Sequence, residues 1–358
     1  MDLMLKTIRL AKKGMGHTSP NPLVGAIVVK NNKIISQAYH KKFGGRHAEI
    51  LALKKAGTLA KGAIMYVNIE PCCHHGKTPP CTQAIVKAGI KQVNIAMLDP
   101  NPLVNGKGKK QLEQARIQTN IGQQSNQAKQ LNESFHKYIT TGLPFITAKW
   151  AMSLDGKIST CTGDSKWISC KKSREFTHQL RQRNDAILIG VNTVIQDDPK
   201  LTARINTKKL SHPIRIILDS TGRTPLSAKI FQQPGQTIIA CTEKIKKSRE
   251  KQYLQAGAQI IKTKAKNDQI NLSELIKKLG KKQISSILIE GGSEILGSAV
   301  DNHLIDKAYI FMSPKIIGGR KSKTPVSGHG FAKMSSIKQW KIHKIKKIEN
   351  DICVIAYA

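Results

Sequence analysis

Four residues in the N-terminal third of the chain have the types and spacing of a catalytic zinc site. His47 and Glu49 stand two positions apart, and Cys72 and Cys81 each follow a proline at the two ends of one segment. Catalytic zinc takes three protein ligands, often Cys and His, and keeps a fourth position for water. One histidine and two thiolates neutralise Zn²⁺, which lowers the pKa of its water toward neutrality. We therefore predict one zinc ion per chain on His47, Cys72 and Cys81.

Glu49 is predicted to move protons rather than to bind the metal. It lies two residues after His47 at a helix start, so it cannot easily supply a fourth ligand from the same turn. A carboxylate there can take a proton from water and pass it to a leaving amine. Zinc deaminases that act on nucleobases combine a His-x-Glu with a later Pro-Cys-x-x-Cys. Here the two cysteines are nine positions apart instead of three, so the loop between them is longer.

The alternative interpretation is a set of unrelated buried thiols and a surface histidine. Each residue alone favours that interpretation, whereas their occurrence together with a glutamate and two prolines favours a metal site. Cys73 is an alternative ligand, and we favour Cys72 because it follows Pro71 directly. The seven cysteines are odd in number and three fall within ten residues. This pattern fits a metal site in a reducing compartment better than a disulfide framework.

Alternating helices and strands are predicted to position these residues. Glu49 lies on a predicted helix over residues 47–56, and the cysteine loop leads into a helix that ends near Gly89. A helix with one apolar stripe begins the chain. Such alternation predicts a parallel or mixed sheet between helices. The predicted strands of this part cover residues 24–29, 33–36, 63–69 and 93–98.

A second set of alternating elements follows a connector predicted at residues 137–144, so we expect domains at residues 1–144 and 145–358. No Gly-x-Gly-x-x-Gly follows a strand in this part. Instead, a predicted strand leads through Glu290 into Gly291-Gly292-Ser293 and a predicted helix over residues 294–300. Such glycines let backbone N–H groups approach a phosphate, although a Gly-Gly turn is more often only a turn. The predicted strands cover residues 145–150, 186–189, 214–218, 237–241, 284–289 and 308–312.

The chain is strongly basic, with 358 residues and a formal net charge of +36. Such a charge raises the expectation of a nucleic-acid partner. The densest lysine runs, at residues 244–247 and 341–347, lack aromatic side chains for stacking on bases. We interpret most lysines as solvated surface and expect no nucleic-acid partner. Because no apolar run reaches the roughly 18 residues of a membrane span and no signal segment is present, we expect a cytoplasmic protein without membrane contact.

Several runs along nearly the whole chain resemble the bifunctional deaminase/reductase family of riboflavin biosynthesis. The most specific is the long loop between the cysteines, which tRNA-type and cytidine-type deaminases lack. The resemblance implies an α/β fold class, with a cytidine-deaminase-like α/β/α domain followed by a dihydrofolate-reductase-like α/β domain. In the first domain the runs begin at Ser19, His40, Asn68 and Asp99, and in the second at Ala151, Ser165, Gly190, Asp197, Leu201 and Glu290.

Two successive reactions on phosphoribosylated pyrimidines are implied by this resemblance. The 2,5-diamino-6-(5-phosphoribosylamino)pyrimidin-4(3H)-one first loses an amine to water. NADPH then reduces the ribosyl group of 5-amino-6-(5-phosphoribosylamino)uracil to a ribityl chain. For the first substrate the resemblance selects Asn21, His40, His74 and Lys77. His75 competes with His74 for one role, and the motif favours His74.

For the reductase, the resemblance selects a substrate set and a cofactor set. Guanidinium binds phosphate bidentately, which suits Arg181 and Arg204, although a single arginine in so basic a chain is more often solvated. Asp197 and Glu290 are acidic groups near the chemistry, and neither is assigned as a proton donor because hydride transfer is the cofactor's chemistry. The substrate set is Ser165, Arg181, Leu201, Arg204 and Glu290. The NADPH set is Ala151, Trp167, Thr193, Asp197, Ser220, Gly292, Ser293, Glu294, Ile295, Leu296, Gly297 and Ser298.

Two other functions stay open at this stage. A tRNA-type base deaminase with an accessory domain would explain the charge and the zinc motif, but not the motifs of the second domain. A basic RNA-binding protein on an inactive deaminase scaffold is disfavoured because His47, Glu49, Cys72 and Cys81 are all in place. A homo-oligomer is left open. The choice of NADPH over NADH is also open by physical argument, since no 2′-phosphate ligand is identified.

Overall fold

A computed structural model describes residues 2–75, 79–205, 210–266 and 268–358. The chain forms two compact units, residues 1–142 and 143–358, and each is described by itself. None of the helices in the described ranges combines the length and apolar character that crossing a membrane requires. All seven cysteines are free thiols, which agrees with the prediction against a disulfide framework.

In its described residues, the N-terminal unit combines a five-stranded sheet with six α-helices. Its strands are β1 (Gly25–Lys30), β2 (Lys33–Tyr39), β3 (Ile64–Val67), β4 (Gln92–Ile95) and β5 (Gln118–Ile121). Its helices are α1 (Leu3–Ala11), α2 (Ala48–Ala56), α3 (Cys81–Lys87), α4 (Lys107–Gln114), α5 (Ser125–Leu131) and α6 (Glu133–Thr141). The strand order is β2-β1-β3-β4-β5. β1 pairs antiparallel with β2 and β3, and β3, β4 and β5 are parallel, so the sheet is mixed.

Strand β1 is buried on both faces, which explains its uninterrupted apolar run. Ala26 and Val28 belong to the main core of the unit, whereas Ile27 and Val29 belong to a smaller cluster on the opposite face. The turn Asn31-Asn32 that follows has φ angles of 48° and 59°. This left-handed geometry is the one that a two-residue hairpin requires, and the predicted hairpin is confirmed.

The connector prediction over residues 137–144 is wrong for most of its length. Residues 137–141 are the last part of α6, which ends at Gly142 with a φ of 72°. Gly142 and Pro144 mark the end of this helix. Glycine readily adopts the left-handed conformation that follows a helix end. Strand β5 was also not predicted. It is polar and largely exposed, so it lacks the apolar alternation that indicates a strand.

The part of the C-terminal unit that the structure describes is built on a nine-stranded sheet. Its sheet strands are β6 (Phe145–Ser153), β7 (Ala186–Gly190), β8 (Ile214–Leu218), β9 (Thr237–Thr242), β10 (Gln259–Thr263), β13 (Ser286–Glu290), β14 (Lys307–Ser313), β15 (Lys341–Ile348) and β16 (Asp351–Tyr357), and a separate hairpin comprises β11 (Ala265–Lys266) and β12 (Gln269–Ile270). Its helices are α7 (Lys171–Arg183), α8 (Val191–Asp197), α9 (Lys247–Gln255), α10 (Leu272–Lys281) and α11 (Ser293–Asp301). The sheet order is β10-β9-β8-β7-β13-β6-β14-β16-β15.

Seven neighbouring strands of this sheet, from β10 to β14, are parallel. Their central members are apolar on both faces. In β13, Ile287 and Ile289 pack in one core, and Leu288 packs with Phe311 in another. Because parallel strands place their carboxyl ends at one edge, residues after β6, β7, β8 and β13 meet there, which is where open α/β sheets bind ligands.

The lysine run at residues 341–347 is part of β15, the edge strand of the sheet. Its sequence does not alternate cleanly, because both faces are largely exposed and lysines are common on edge strands. Its pairing partner β16 is antiparallel to β14 as well. The hairpin of β15 and β16 therefore forms one edge of the sheet.

Candidate functional sites

The structure brings the three predicted zinc ligands together from three elements of the N-terminal unit. His47 is the N-cap residue of α2, Cys72 lies in the segment after β3, and Cys81 begins α3 after Pro80. His47 Nδ1 lies 3.2 Å from the Cys81 sulfur and 3.5 Å from the Cys72 sulfur. The backbone N–H of Cys81 also donates to the Cys72 sulfur at 3.4 Å. His47 and Cys81 thus lie at the starts of two helices, and Cys72 lies in the loop that follows β3.

The donor set fits zinc in both chemistry and spacing. The three ligand atoms all lie within 4.8 Å of one another. Tetrahedral zinc, with bonds of about 2.0–2.1 Å to nitrogen and about 2.3 Å to sulfur, separates such ligand atoms by roughly 3.5 Å. Two sulfurs and one imidazole also leave a fourth position for water, as a catalytic site requires.

Mutual hydrogen bonding shifts the pKa values of these ligands. The contact with Cys81, together with a smaller one from His47, lowers the pKa of Cys72 to about 4 against the effect of burial. The same contact, followed by burial, raises the pKa of Cys81 well above its usual range. Hydrogen bonding to Cys72 raises the pKa of His47 to about 9. The thiolate character of Cys72 suits a metal ligand, because zinc binds the deprotonated sulfur.

Glu49 lies on the first turn of α2 beside this cluster. Its side chain is buried, with 3% of the residue exposed, and its Oε2 atom has no hydrogen-bond partner among the described residues. Burial is the main cause that raises the pKa of Glu49, with the charge of His47 opposing it. A buried carboxylate oxygen without a partner next to a metal cluster is available to a reacting water molecule.

Cys73 is turned away from the three-ligand cluster. Its sulfur lies 3.8 Å from the carbonyl oxygen of Leu103, and the residues grouped by ligand distance are His47, Cys72 and Cys81. The geometry therefore favours Cys72 over Cys73 as the ligand.

This difference between neighbouring thiols gives a matched test. We expect Cys72→Ser to reduce the zinc content of the purified protein severely, because one of three protein ligands and its negative charge are lost. Cys73→Ser is expected to retain about one zinc per chain. Metal analysis of both variants by plasma mass spectrometry measures this. Equal zinc loss in both variants would contradict the ligand assignment.

The predicted substrate residues of this unit are placed at different distances from the cluster. Asn21 Nδ2 lies 3.3 Å from His40 Nε2, and the His40 ring lies edge-on to that of His47 with centroids 5.5 Å apart. The Nδ1 atom of His74 is buried and has no partner among the described residues. Asn21 and His40 thus lie beside the three predicted zinc ligands. Lys77 lies outside the described residues.

In the C-terminal unit, several of the predicted cofactor residues lie at the carboxyl edge of the sheet. They follow four strands that are neighbours in the order β8-β7-β13-β6. Ser220 comes two residues after β8, Thr193 is on the first turn of α8 after β7, and Ala151 lies near the end of β6. The turn after β13 carries Gly291 and Gly292, with φ angles of 76° and 75°. The arrangement is a row of strand ends with a glycine turn in its middle.

The run from Gly292 to Ser298 does not have one uniform environment. Gly292 is the N-cap residue of α11, and an added Cβ at Gly291 would meet nothing within 4 Å. Leu296 is 1% exposed and packs in the core. Gly297 lies against the backbone of Ser327, whose oxygen would be 2.1 Å from an added Cβ. The start of α11 is therefore open, whereas its second turn is packed against the core and Ser327.

A buried ion pair dominates the other predicted residues of this unit. Arg181 on α7 donates through Nε and Nη2 to the two carboxylate oxygens of Glu290, each at 2.7 Å, and both side chains are at most 13% exposed. Arg181 also donates to the carbonyl of Thr202 at 3.2 Å, beside the buried Leu201. Burial opposes the charge on Glu290, but Arg181 and then Lys149 lower the pKa of its carboxyl below the usual range.

Lys149 was not singled out in the sequence, although it is a charged residue in the largely apolar strand β6. It lies opposite Glu290 in the register of the neighbouring strands β6 and β13. Burial lowers the pKa of its ammonium, whereas the charge of Glu290 raises it. Arg181, Glu290 and Lys149 therefore form a charged cluster on the sheet face that α7 covers. A lysine in such a strand is a signal that could have been used.

The exposed segment with Ser165 and Trp167 is linked to α8 through a surface ion pair. Lys166 Nζ lies 3.3 Å from Asp197 Oδ1, and the guanidinium of Arg174 stacks 4.4 Å from the centre of the Trp167 ring. Trp167 is 61% exposed. Asp197 thus differs from Glu290, because its partner is a solvated lysine rather than a buried arginine.

His178 adds a pH-sensitive group to the charged cluster of Arg181, Glu290 and Lys149. It lies one turn before Arg181 on α7, and its Nδ1 atom is 3.3 Å from the Thr202 carbonyl. Burial, and then the positive charges of Arg181 and Arg204, lower the pKa of His178 to about 4. In the unfolded chain its pKa is about 6.5. The stability due to a neutral His178 is therefore fully present above pH 6.5 and is lost as the pH falls toward 4.

We expect His178→Asn to make the full-length protein less sensitive to acid, because asparagine can keep a hydrogen bond near Thr202 and cannot be protonated. The thermal midpoint Tm of wild type should fall more between pH 7.5 and pH 5 than that of the variant. His136→Asn, at an exposed position on α6 of the other unit, serves as the control and should behave as wild type. An equal fall of Tm in all three proteins would contradict the assigned pKa.

Comparisons with known proteins cover almost the whole chain. Residues 1–97 match the family model described as the cytidine and deoxycytidylate deaminase zinc-binding region, and residues 144–354 match the RibD C-terminal domain. The chain is 47% identical to riboflavin biosynthesis protein RibD of Aquifex aeolicus over 316 residues, 88% of this chain and 87% of that protein. It is 37% identical to RibD of Escherichia coli over 98% of this chain and 97% of that protein.

Solved structures show the same relationship. Acinetobacter baumannii RibD superposes with a TM-score of 0.88 at 34% identity and covers 99% of this chain and 97% of its own. A Thermotoga maritima structure, described as a diaminohydroxyphosphoribosylaminopyrimidine deaminase/5-amino-6-(5-phosphoribosylamino)uracil reductase, has a TM-score of 0.86 at 34% identity with the same coverage. The predicted α/β fold class, with a deaminase-like unit before a reductase-like one, is confirmed.

Proposed function

The chain belongs to the RibD family and is a bifunctional deaminase/reductase of riboflavin biosynthesis, and we propose how its two sites divide the work. The N-terminal site, around His47, Cys72 and Cys81, would deaminate 2,5-diamino-6-(5-phosphoribosylamino)pyrimidin-4(3H)-one. The C-terminal site would then reduce the ribosyl group of 5-amino-6-(5-phosphoribosylamino)uracil to ribityl with NADPH. The order follows from the chemistry, since the second substrate is the product of the first step.

In the deaminase site, zinc on His47, Cys72 and Cys81 would supply a Lewis acid that makes water nucleophilic at neutral pH. Glu49 takes the proton of the attacking water on its free carboxylate oxygen and delivers it to the amine that leaves. His40 is held by the carbonyl of Arg46 at 3.2 Å and in turn faces Asn21. This pair orients polar groups toward the pyrimidine ring.

In the reductase site, NADPH would supply the hydride, and the chain's own residues bind and orient. The N–H groups at the start of α11, after Gly291-Gly292, suit a cofactor phosphate because a helix N-terminus attracts anions. Arg181 is held by Glu290, so Arg204, which is exposed, is the freer of the two arginines to meet a substrate phosphate. Lys149 would offer a donor to the substrate, and Glu290, with both oxygens bonded to Arg181, would hold that arginine in place.

The observation that carries the proposal is the cluster of His47, Cys72 and Cys81 with the buried, partner-free carboxylate oxygen of Glu49 beside it. The test is to incubate the full-length zinc protein with the diaminopyrimidine nucleotide, with and without NADPH. We expect ammonia in both cases, and loss of nicotinamide absorbance only with NADPH and only after ammonia appears. Ammonia release from tRNA and none from the nucleotide would refute the proposal.

A further inference from the structure

A buried carboxylate beside the zinc-ligand segment holds a distant part of the N-terminal unit in place. Glu70 is 2% exposed and accepts three backbone N–H groups. Asp99 and Gly106 donate to Oε2 at 3.1 and 2.9 Å, and Lys109 donates to Oε1 at 2.9 Å. One side chain therefore fixes both ends of segment 99–109, including the start of α4.

Segment 99–109 lies beside the loop between the predicted zinc ligands Cys72 and Cys81. The carbonyl of Leu103 lies 3.8 Å from the Cys73 sulfur. Just beyond the segment, Gln111 donates to the carbonyl of Cys73 at 3.5 Å and accepts from Thr82 at 2.8 Å. The segment thus contacts the residue after Cys72, and Gln111, two positions beyond the segment, contacts the residue after Cys81.

The polar groups of the segment also lie within the electrostatic field of the site. Burial, with added contributions from the charges of Glu70, Cys72 and Glu49, raises the pKa of Asp99 to about 7. Asn105 and Lys107 are exposed in the same segment. An exposed amide and an exposed cation in this segment suit a phosphorylated pyrimidine.

We propose that Glu70 is a positioning residue of the deaminase, which holds segment 99–109 as one wall of the substrate site at a fixed distance from Cys72. This inference rests on the proposed deaminase function. A carboxylate suits the task because both of its oxygens accept, so three N–H groups can converge on it. A glutamine would turn its own NH₂ group toward at least one of these donors.

The first variant is Glu70→Gln in the full-length protein. We expect the KM for the diaminopyrimidine nucleotide to rise about tenfold, the effect of one lost buried hydrogen bond. The kcat is expected to stay within about threefold of wild type, because an interaction that orients substrate without touching the reacting atoms changes mainly KM. Zinc content and reductase activity should be unchanged.

A second variant displaces the same segment without changing charge. In Gly108→Ala the new Cβ would lie 2.2 Å from the carbonyl oxygen of Pro71 and 3.1 Å from Glu70 Oε1, so the start of α4 must move away. Alanine favours a helix more than glycine does, so a loss of helix stability would not explain the result. We expect the same rise in KM. Glu113→Gln, at an exposed carboxylate on α4, is the control and should behave as wild type.

Amide hydrogen exchange supplies a readout that does not depend on activity. The amides of Asp99, Gly106 and Lys109 should exchange faster in Glu70→Gln and at wild-type rates in Glu113→Gln. Unchanged KM in both variants, or loss of zinc with KM unchanged in the zinc-loaded fraction, would overturn the proposal. Failure of the deaminase function itself would show in the wild-type protein, as zinc bound without ammonia release.

Discussion

Glu49→Gln is expected to abolish deamination while the protein keeps its zinc and its reductase activity. Glutamine has nearly the same shape as glutamate, so the buried position on α2 should be preserved. It cannot accept a proton from water and return it to the leaving amine. Positioned general acid–base groups contribute roughly 10²- to 10⁴-fold to a rate, and we expect the upper part of that range because Glu49 serves both proton transfers. Ammonia release and metal content measure the two quantities.

The reductase half of the same chain provides an internal control for this variant. Given 5-amino-6-(5-phosphoribosylamino)uracil directly, Glu49→Gln should consume NADPH at the wild-type rate. The exposed Glu113→Gln should retain both activities. If Glu49→Gln released ammonia within about tenfold of the wild-type rate, less than a general base contributes, the proton-transfer role would be wrong. If it lost zinc, Glu49 would instead be part of the metal site.

The second large effect is expected from Glu290→Gln in the reductase unit. This change removes the carboxylate that faces the buried guanidinium of Arg181 and the ammonium of Lys149. Breaking a buried ion pair from one side leaves an uncompensated charge and costs about 3–5 kcal/mol of folding free energy. We also expect reductase kcat/KM to fall roughly a hundredfold, because truncating one partner of a buried charge pair disturbs binding strongly. Deamination should be unchanged.

Thermal unfolding measures the loss of stability, read at the transition whose Tm rises when NADPH is added. Steady-state reduction rates measure the loss of kcat/KM. Helix α7 offers a matched control, because Lys172 at its start makes an exposed ion pair with Glu349 at 3.2 Å. Exposed pairs contribute little to stability, so Glu349→Gln should leave Tm and both activities as in wild type. Equal behaviour of Glu290→Gln and Glu349→Gln would show that the buried pair has no special role.

The family and the two-reaction activity could be predicted from the sequence because both depend on short local patterns. His47-Ala48-Glu49 and the two prolyl-cysteines indicate zinc chemistry through residue type and spacing alone, and the long cysteine loop distinguishes this family from other zinc deaminases. Short apolar runs likewise predicted most of the central strands. The predicted family, fold class and bifunctional activity are confirmed by the comparisons.

Strands β10 and β16 were missed although they contain apolar residues, whereas two other missed strands have no such local pattern. Strand β5 is polar because it lies at an exposed edge, and β15 reads as a charged run for the same reason. The connector predicted over residues 137–144 overlaps the end of α6, which Gly142 and Pro144 follow closely. For β5 and β15, the position at the sheet edge, rather than the propensity of the residues, decided the structure.

The choice between Cys72 and Cys73 shows where local spacing reaches its limit. Adjacent residues of one extended segment point in opposite directions, so only one thiol can face His47, and the fold decides which. Sequence order favoured Cys72 because of Pro71. The positions of His47 and of Cys81 at the starts of two helices supplied the reason.

The sequence by itself determined which chemistry this protein carries out, because metal ligands and a proton carrier are specified by residue type within a few positions. The tertiary structure alone decided which charges pair. Among 59 basic and 23 acidic side chains, nothing local indicates that Arg181 meets Glu290, 109 positions away, or that Glu70 receives three amides 29 to 39 positions away. Coulomb attraction and hydrogen bonding act over a few ångströms of space, and only the packed sheets and helices bring these groups within that distance.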